Sequence, residues 1–271
     1  MLSDTNARLA AAQRLTSRKG RRVAGRFLAE GAPAVSEALR TPDAVTELFV
    51  TPATVLRHPD LVGTAHSAGI PVSEISPKAA AALSETVTPQ GLVATCGLLD
   101  VALTTALDRR PSLIVAVVDV QDPGNAGTIV RTADAAGAGA VVFAGESVDP
   151  YNGKAVRAGA GSVFHLDLVA GHPTVDLIAA ARAAGYQVLA ATGAGTALLD
   201  QCDLRPPTMW LFGNEAQGLA PHAVQQADHT VRVPIYGRAE SLNLAAAAAV
   251  CLYASAHAQH RASPGVSRDR D

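Results

Sequence analysis

Three short stretches in the C-terminal half of the chain set polar side chains among glycines beside apolar runs. In DPGNAGTIVR, Asn125 and Arg131 flank Gly127. Asn125 is suited to cap a helix or to hold a ligand. A glycine inside a helix costs about 1 kcal/mol relative to alanine, and close approach of ligand or backbone would account for it. Helical side chains lean toward the helix N-terminus, so Arg131 is expected to fold back over Gly127 toward Asn125. In WLFGNEAQGLAP, Gly213 and Gly218 flank Asn214 and Glu215. Bare backbone there can approach a flat ligand, and a carboxylate at the mouth of an apolar site can orient a hydroxyl or accept a proton. In VRVPIYGRAESLNLAAAAAV, Pro234 and Gly237 shape a loop, and Ser241 and Asn243 head an otherwise apolar helix. Small polar residues in that place are caps or ligand contacts. Gathered at one edge of one sheet, the three turns would bring amide, guanidinium and carboxylate groups to one ligand.

The elements that must gather them begin at residue 112. SLIVAVVDV, GAVVFAG, VFHLDL, YQVLAAT, TMWLFG and HTVRVP are apolar runs of strand length. Helices are expected between most of them, over Asn125–Gly137, Gly153–Gly159, Thr174–Gly185 and Leu219–Ala227. Continuous apolar strands alternating with helices predict a parallel sheet covered on both faces. Ligands of such sheets bind beyond the carboxyl ends of the strands. A dinucleotide fingerprint would need G-x-G-x-x-G after a strand. Gly193–Ala194–Gly195 follows a strand but is completed by Leu198, and the Gly137 and Gly159 pairs precede strands. A nicotinamide oxidoreductase is therefore a minor alternative. The final helix, ESLNLAAAAAVCLYASAHA, is apolar over most of its circumference and belongs in a core or a subunit interface.

The first hundred residues alternate differently. Strands are expected at GRFLAEG, AVTELFV, IPVSEIS and GLVATCG, with helices at Leu2–Ser17, APAVSEALR, TVLRHPDLVGTAHSAG and PKAAAALSE. This is a small α/β unit. The expected domains are 1–98, a linker over 99–111 where the pattern loosens, 112–260, and a disordered tail over 261–271. Net charge is −2, but seven cationic residues and no acid lie between Arg8 and Arg26. Such a basic arm is either a solvated helix or a surface that meets phosphates. The three cysteines are far apart in sequence, so neither a disulfide framework nor a zinc site is expected. His257 and His260 read as surface residues. No signal peptide or membrane-spanning run is evident, and a cytoplasmic protein is expected.

Taken in order, NAGTIVR, FGNEAQGL and VPIYGRAESLNL resemble the three motifs of the SpoU branch of the SPOUT RNA methyltransferases, over Ser112 to about His257. Upstream, FLAEGAPAVSEAL is similar to the start of the RNA-binding domain of many members, and the layout is similar to that of ribosomal RNA and thiostrepton-resistance enzymes. The resemblance implies methyl transfer from S-adenosylmethionine to a ribose 2′-hydroxyl. It also implies a deep trefoil knot in the C-terminal parallel sheet domain, a homodimer with sites at the interface, and no metal. By the same resemblance, Asn125, Arg131, Glu215, Ser241 and Asn243 take the catalytic and substrate-positioning places. Ala190, Thr192, Gly213, Val233, Ile235 and Leu242 take the cofactor places. Arg18, Lys19, Arg21, Arg22 and Arg157 are the expected RNA contacts. Gly159 and Ala245 depart from the family, where many members carry serine.

Family proposals make the arginine a general base. An arginine pKa above 12 argues against that, and Arg131 is expected instead to hold a phosphate and stabilise the developing alkoxide. Large-subunit ribosomal RNA is the first expected substrate and transfer RNA the second. A binder of S-adenosylmethionine or RNA without chemistry is the rival reading.

Overall fold

The computed structural model describes residues 1–262. In its first part the elements are α1 (Ala7–Arg14), α2 (Arg18–Ala24), β1 (Arg26–Glu30), α3 (Ala32–Arg40), β2 (Val45–Val50), α4 (Pro52–Arg57), α5 (Pro59–Ser67), β3 (Val72–Glu74), α6 (Pro77–Ala82) and β4 (Leu92–Gly97). There follow α7 (Leu103–Asp108), β5 (Leu113–Val118), α8 (Pro123–Ala135), β6 (Ala140–Ala144), α9 (Gly153–Gly159), β7 (Asp167–His172), α10 (Thr174–Ala183) and β8 (Gln187–Ala191). The chain continues through β9 (Ala197–Leu198), β10 (Thr208–Phe212), α11 (Pro221–Gln226), β11 (His229–Arg232) and α12 (Leu244–Ala262). Two compact units result: Met1–Leu99 joined by Asp149–His165, and Asp100–Val148 joined by the chain from Leu166 onward.

The first unit is built on a four-stranded sheet of order β1-β4-β2-β3. β4 runs antiparallel to β1 and β2, and β2 parallel to β3. Leu9, Ala12 and Leu15, spaced three apart, bury one face of the N-terminal helical segment in a core with Phe49, Ile75 and Leu83. α1 is capped by Asn6, and α2 by Ser17, whose Oγ accepts from the Gly20 amide. The expected basic arm is thus a pair of capped helices, the first packed through its apolar face and the second through the buried Arg21. Pro59 breaks the long helical stretch into α4 and α5, because proline disfavours helical geometry in the residue before it.

Asp149–His165 lies in the first unit, although the sequence pattern set it within the second domain. Its packing gives the reason. Phe164 stacks on Phe27 of β1 and Tyr151 packs against it at a tilt, with ring centroids 5.9 and 4.7 Å away. Arg157 pairs with Glu30 at 3.0 Å, and Arg21 with Asp149 at 2.7 Å. The apolar run VFHLDL begins as a 3₁₀ turn at Ser162–Phe164, and the strand starts only at Asp167.

The second unit carries a seven-stranded sheet of order β7-β6-β5-β10-β8-β11-β9, parallel at every pairing. β5, β6 and β10 are buried along their whole length, as strands covered on both faces must be. Ile114, Ala116, Val142, Val188, Met209 and Leu211 face α7, α10 and α11. The opposite face meets α8 and α12, where Trp210 Nε1 donates to Ser255 Oγ at 2.9 Å in a fully buried pair. That bond explains a polar residue on the inner face of an apolar helix. The stretch expected as linker instead holds α7, whose Leu103, Ala106 and Leu107 are core residues. Arg261 and Ala262 belong to α12, and the rest of the expected tail lies outside the described residues.

β9 has only two residues and was not anticipated. It places β11 between β8 and β9, two strands joined directly by residues 192–196. That short connection arches over β11. A Cβ on Gly195 would lie 2.5 Å from the Val231 carbonyl carbon, so only glycine fits there. No helix among the described residues is long and apolar enough to cross a membrane.

Candidate functional site

β10, β8 and β11 are neighbours in the sheet, and their carboxyl ends together with the entry to α12 enclose a cavity of about 440 Å³. Thr192 and Gly193 line it from the β8 end, Phe212–Glu215 from the β10 end, and Val231–Ile235 from the β11 end. Ser241, Leu242 and Leu244 complete it. Of the expected cofactor residues, Thr192, Gly213, Val233, Ile235 and Leu242 line this cavity. Ala190 does not. It is fully buried in the core on the α10 side, and Ala191 takes the lining place. In a strand one residue of register moves a side chain to the other face.

Gly213 is a glycine for a reason the sequence did not disclose. A Cβ there would lie 2.3 Å from the Gly218 carbonyl carbon. The loop folds back on itself, and the amides and carbonyls of Asn214 and Gly218 bond each other at 3.0 and 2.8 Å. Asn214 Oδ1 accepts from the Ala216 and Gln217 amides, while its Nδ2 donates to the Asp119 carbonyl at 2.8 Å. Asp119 has φ +56, an uncommon conformation for a non-glycine residue. Asn214 and Asp119 are therefore positioning residues that motif reading missed.

The loop so fixed presents Glu215 to the start of α8. Glu215 Oε1 accepts from the Asp122 amide and from Asn125 Nδ2, both at 3.1 Å, and Oε2 accepts from the Gln121 amide at 3.2 Å. Partial burial pushes this carboxyl up, but hydrogen bonds from its own amide, Asn125, Gln121 and Asp122 outweigh burial and hold it below the usual carboxylate range. Asn125 Oδ1 in turn accepts from Asn243 Nδ2 at 3.0 Å. Asn243 Oδ1 accepts from the Ala245 and Ala246 amides, so this residue caps α12. Glu215, Asn125 and Asn243 form one chain linking the three motifs.

Asn125 is not the cap of α8. Asp122 is, accepting from the Asn125 amide at 2.8 Å. This frees the Asn125 side chain for the polar chain, and both its amide atoms are used there rather than on Arg131. Arg131 is exposed and has no hydrogen bond or ion pair among the described residues. Gly127 is buried in α8, which packs on α12, and it does not line the cavity. Ser241 lines the cavity and makes no hydrogen bond among the described residues. Glu240 and Arg232 also line it and were not anticipated. At Ala245, which departs from the family serine, the amide serves the Asn243 cap.

The expected RNA contacts divide. Arg18, Lys19 and Arg22 are exposed on α2. Arg21 is only 3% exposed and is saturated by Asp149 and the carbonyls of Leu15 and Thr16. Arg157 is held by Glu30. Both are structural ion pairs of the first unit, and neither is free for a phosphate.

Residues 112–253 match the SpoU rRNA methylase family, and residues 6–94 match the MRM3-like substrate binding domain. The 23S rRNA (guanosine(2553)-2′-O)-methyltransferase RlmP of Bacillus subtilis is 38% identical over 89% of this chain and 92% of its own. An AdoMet-bound rRNA methyltransferase from Sinorhizobium meliloti superposes with a TM-score of 0.82 at 34% identity, covering 95% of this chain and 97% of that one. The SpoU methyltransferase AviRb from Streptomyces viridochromogenes, in complex with AdoMet, gives 0.81 at 29% identity over 95% and 100%. Three motifs joined by one hydrogen-bonded chain at the carboxyl edge of a parallel sheet, and these likenesses over nearly the whole length, agree: the chain belongs to the SpoU rRNA methylase family.

Proposed function

We propose that this protein transfers a methyl group from S-adenosylmethionine to a ribose 2′-hydroxyl of RNA, large-subunit ribosomal RNA first. The observation that carries the reading is the hydrogen-bonded chain that starts at Glu215 in the cavity wall and runs through Asn125 to Asn243, neither of which lines the cavity itself. The cavity volume lies within the range of about 300–1,000 Å³ usual for small-ligand pockets. Its Val, Ile and Leu side chains and bare loop backbone suit a flat nucleoside. An ionised Glu215 suits a ligand that carries positive charge.

S-adenosylmethionine supplies an activated methyl group, and the residues of this chain supply alignment and proton removal. Asn125 is fixed at both ends of its amide, so it orients a ribose without rotamer freedom. Arg131, without a partner among the described residues, holds a substrate phosphate and stabilises the alkoxide as it forms. Asn243 anchors the end of the cofactor loop where it enters α12, and Ser241, without a hydrogen-bond partner among the described residues, offers its hydroxyl to the ligand. Arg18, Lys19 and Arg22 of α2 meet RNA phosphates, an interaction that weakens steeply with salt.

The homodimer and the knot belong to the same proposal. Val250 and Tyr253 leave an exposed apolar flank on α12, which a second copy would cover. β11 lying under the 192–196 arch is the arrangement that threading would leave, a rare departure from the rule against threaded loops. A cytoplasmic location fits this substrate.

The test is to incubate the purified protein with methyl-labelled S-adenosylmethionine and RNA from cells lacking this gene, then digest and identify the labelled nucleoside. A 2′-O-methylnucleoside from large-subunit RNA supports the reading, and label in transfer RNA redirects the substrate. Label on a base overturns the chemistry, and cofactor binding without label on properly extracted RNA leaves a binding protein.

A further inference from the structure

The third motif leaves one residue without a role. Tyr236 is 92% exposed, while no other Phe, Tyr or Trp exceeds 43%. It lies between Ile235, which lines the cavity, and Gly237. Among the described residues, Pro234–Leu242 make no hydrogen bond, on backbone or side chain. An aromatic ring held in water on a segment without internal ties gains nothing from the fold in which it sits. It is available to stack.

The arginines around it point the same way. Elsewhere in this unit, Arg109 pairs with Asp167, Arg182 with Asp228, and Arg205 with Asp203, while Arg110 and Arg131 have no ion pair among the described residues. Arg232, which lines the cavity, and Arg238, two residues beyond Tyr236, have no acidic partner among the described residues. Unpaired guanidinium groups beside an exposed aromatic ring match single-stranded RNA, whose bases stack on aromatic faces while cations follow its backbone.

We propose that Tyr236 is a stacking platform for an unpaired nucleobase next to the ribose presented to the cavity, with Arg238 holding a flanking phosphate. This rests on the RNA methyltransferase reading and adds a substrate-selecting residue to it. The target ribose would then have to lie in a loop, bulge or end, where a neighbouring base is free of its stack. The sugar is held from the α8 side by Asn125, and the base from the β11 side by Tyr236.

The test compares the full-length protein with Tyr236→Ala, Tyr236→Phe and Arg238→Ala. Retention of protein-free large-subunit RNA on a filter gives Kd whether or not methyl transfer occurs, and S-adenosylmethionine affinity is measured separately. Stacking predicts that Tyr236→Ala weakens RNA binding by roughly five- to hundred-fold. Tyr236→Phe stays within about two-fold, since the ring and not the hydroxyl stacks. S-adenosylmethionine affinity is unchanged in both. Arg238→Ala lowers the slope of log Kd against log salt by about one contact. Equal RNA affinity for wild type and Tyr236→Ala overturns the proposal, as does equal loss in the Ala and Phe variants. Light scattering that shows Tyr236→Ala converting a dimer to monomers assigns the ring to a second copy instead. Tight wild-type RNA binding without methyl transfer counts against the enzymatic reading and leaves the Tyr236 proposal to the Kd ratio.

Discussion

Asn243 donates to Asn125 at 3.0 Å across 118 residues of sequence, tying the cap of α12 to the first turn of α8. The same side chain has two jobs on its two amide atoms: its oxygen caps a helix and its nitrogen holds a second asparagine.

These jobs separate by mutation. Asn243→Asp keeps the acceptor for the Ala245 and Ala246 amides but loses the donor to Asn125. The expected result is an unchanged melting temperature and a methyl-transfer rate lowered by about 100-fold, the usual cost of a misplaced group. Asn243→Ala should lose the same rate and, in addition, about 1 kcal/mol of stability with the cap. Single-turnover kinetics and thermal melts on both variants check this.

Arg131 makes no contact that the fold needs, so its replacement should leave stability within about 0.5 kcal/mol. Activity should respond differently. Arg131→Lys keeps the charge but loses the paired donors that match a phosphate, and the rate should fall at least about ten-fold. A lysine variant with full rate and unchanged pH dependence would show that this geometry does not matter.

Glu215 has its folded pKa depressed. A depressed carboxyl contributes stability that is fully present above its unfolded pKa, about 4.3, and is lost as pH falls through the folded value. Glu215→Gln removes the charge at every pH. The wild type should therefore be more stable than the variant at neutral pH, by a constant margin above about pH 5, and the two melting curves should converge as the pH drops below about 4. Melts across that range decide it.

The cations of α2 should behave as two classes. Arg21→Ala breaks a buried pair with Asp149 and should cost about 3–5 kcal/mol. Arg18→Ala, Lys19→Ala and Arg22→Ala should leave the melting temperature in place, weaken RNA binding, and lower its salt dependence. If Arg21→Ala folds normally and only RNA binding suffers, the burial argument is wrong.

What could be read from the chain and what could not follow one physical line. Apolar strands of the parallel sheet announce themselves because both faces are covered, and β5, β6, β8 and β10 lie where the runs are. The three motifs were visible because glycines and polar residues interrupt those runs. The misses depend on long-range packing. Nothing local distinguishes Arg21 from Arg22, although one is buried against a residue 128 positions away. Asp122 and Asn125 are equally good caps by type, and only the position of Glu215 decides between them. Ala190 and Ala191 differ by one step in a strand, which is a choice of face. β9 is too short to carry any pattern, and α7 lay in a segment where the pattern loosens.

The arch at residues 192–196 bears on how the cavity can open. One wall, at Thr192 and Gly193, is the arch itself, and another, at Val233 and Ile235, continues the strand that runs beneath it. In most clefts two walls part by swinging on a hinge. Here covalent chain crosses over covalent chain, with the Gly195 backbone pressed on that of Val231. These two walls meet at that crossing point, where backbone packs directly on backbone. The wall between Pro234 and Leu242 is tied differently: among the described residues it makes no hydrogen bond, so that side of the cavity lacks the bracing that the crossing gives the other.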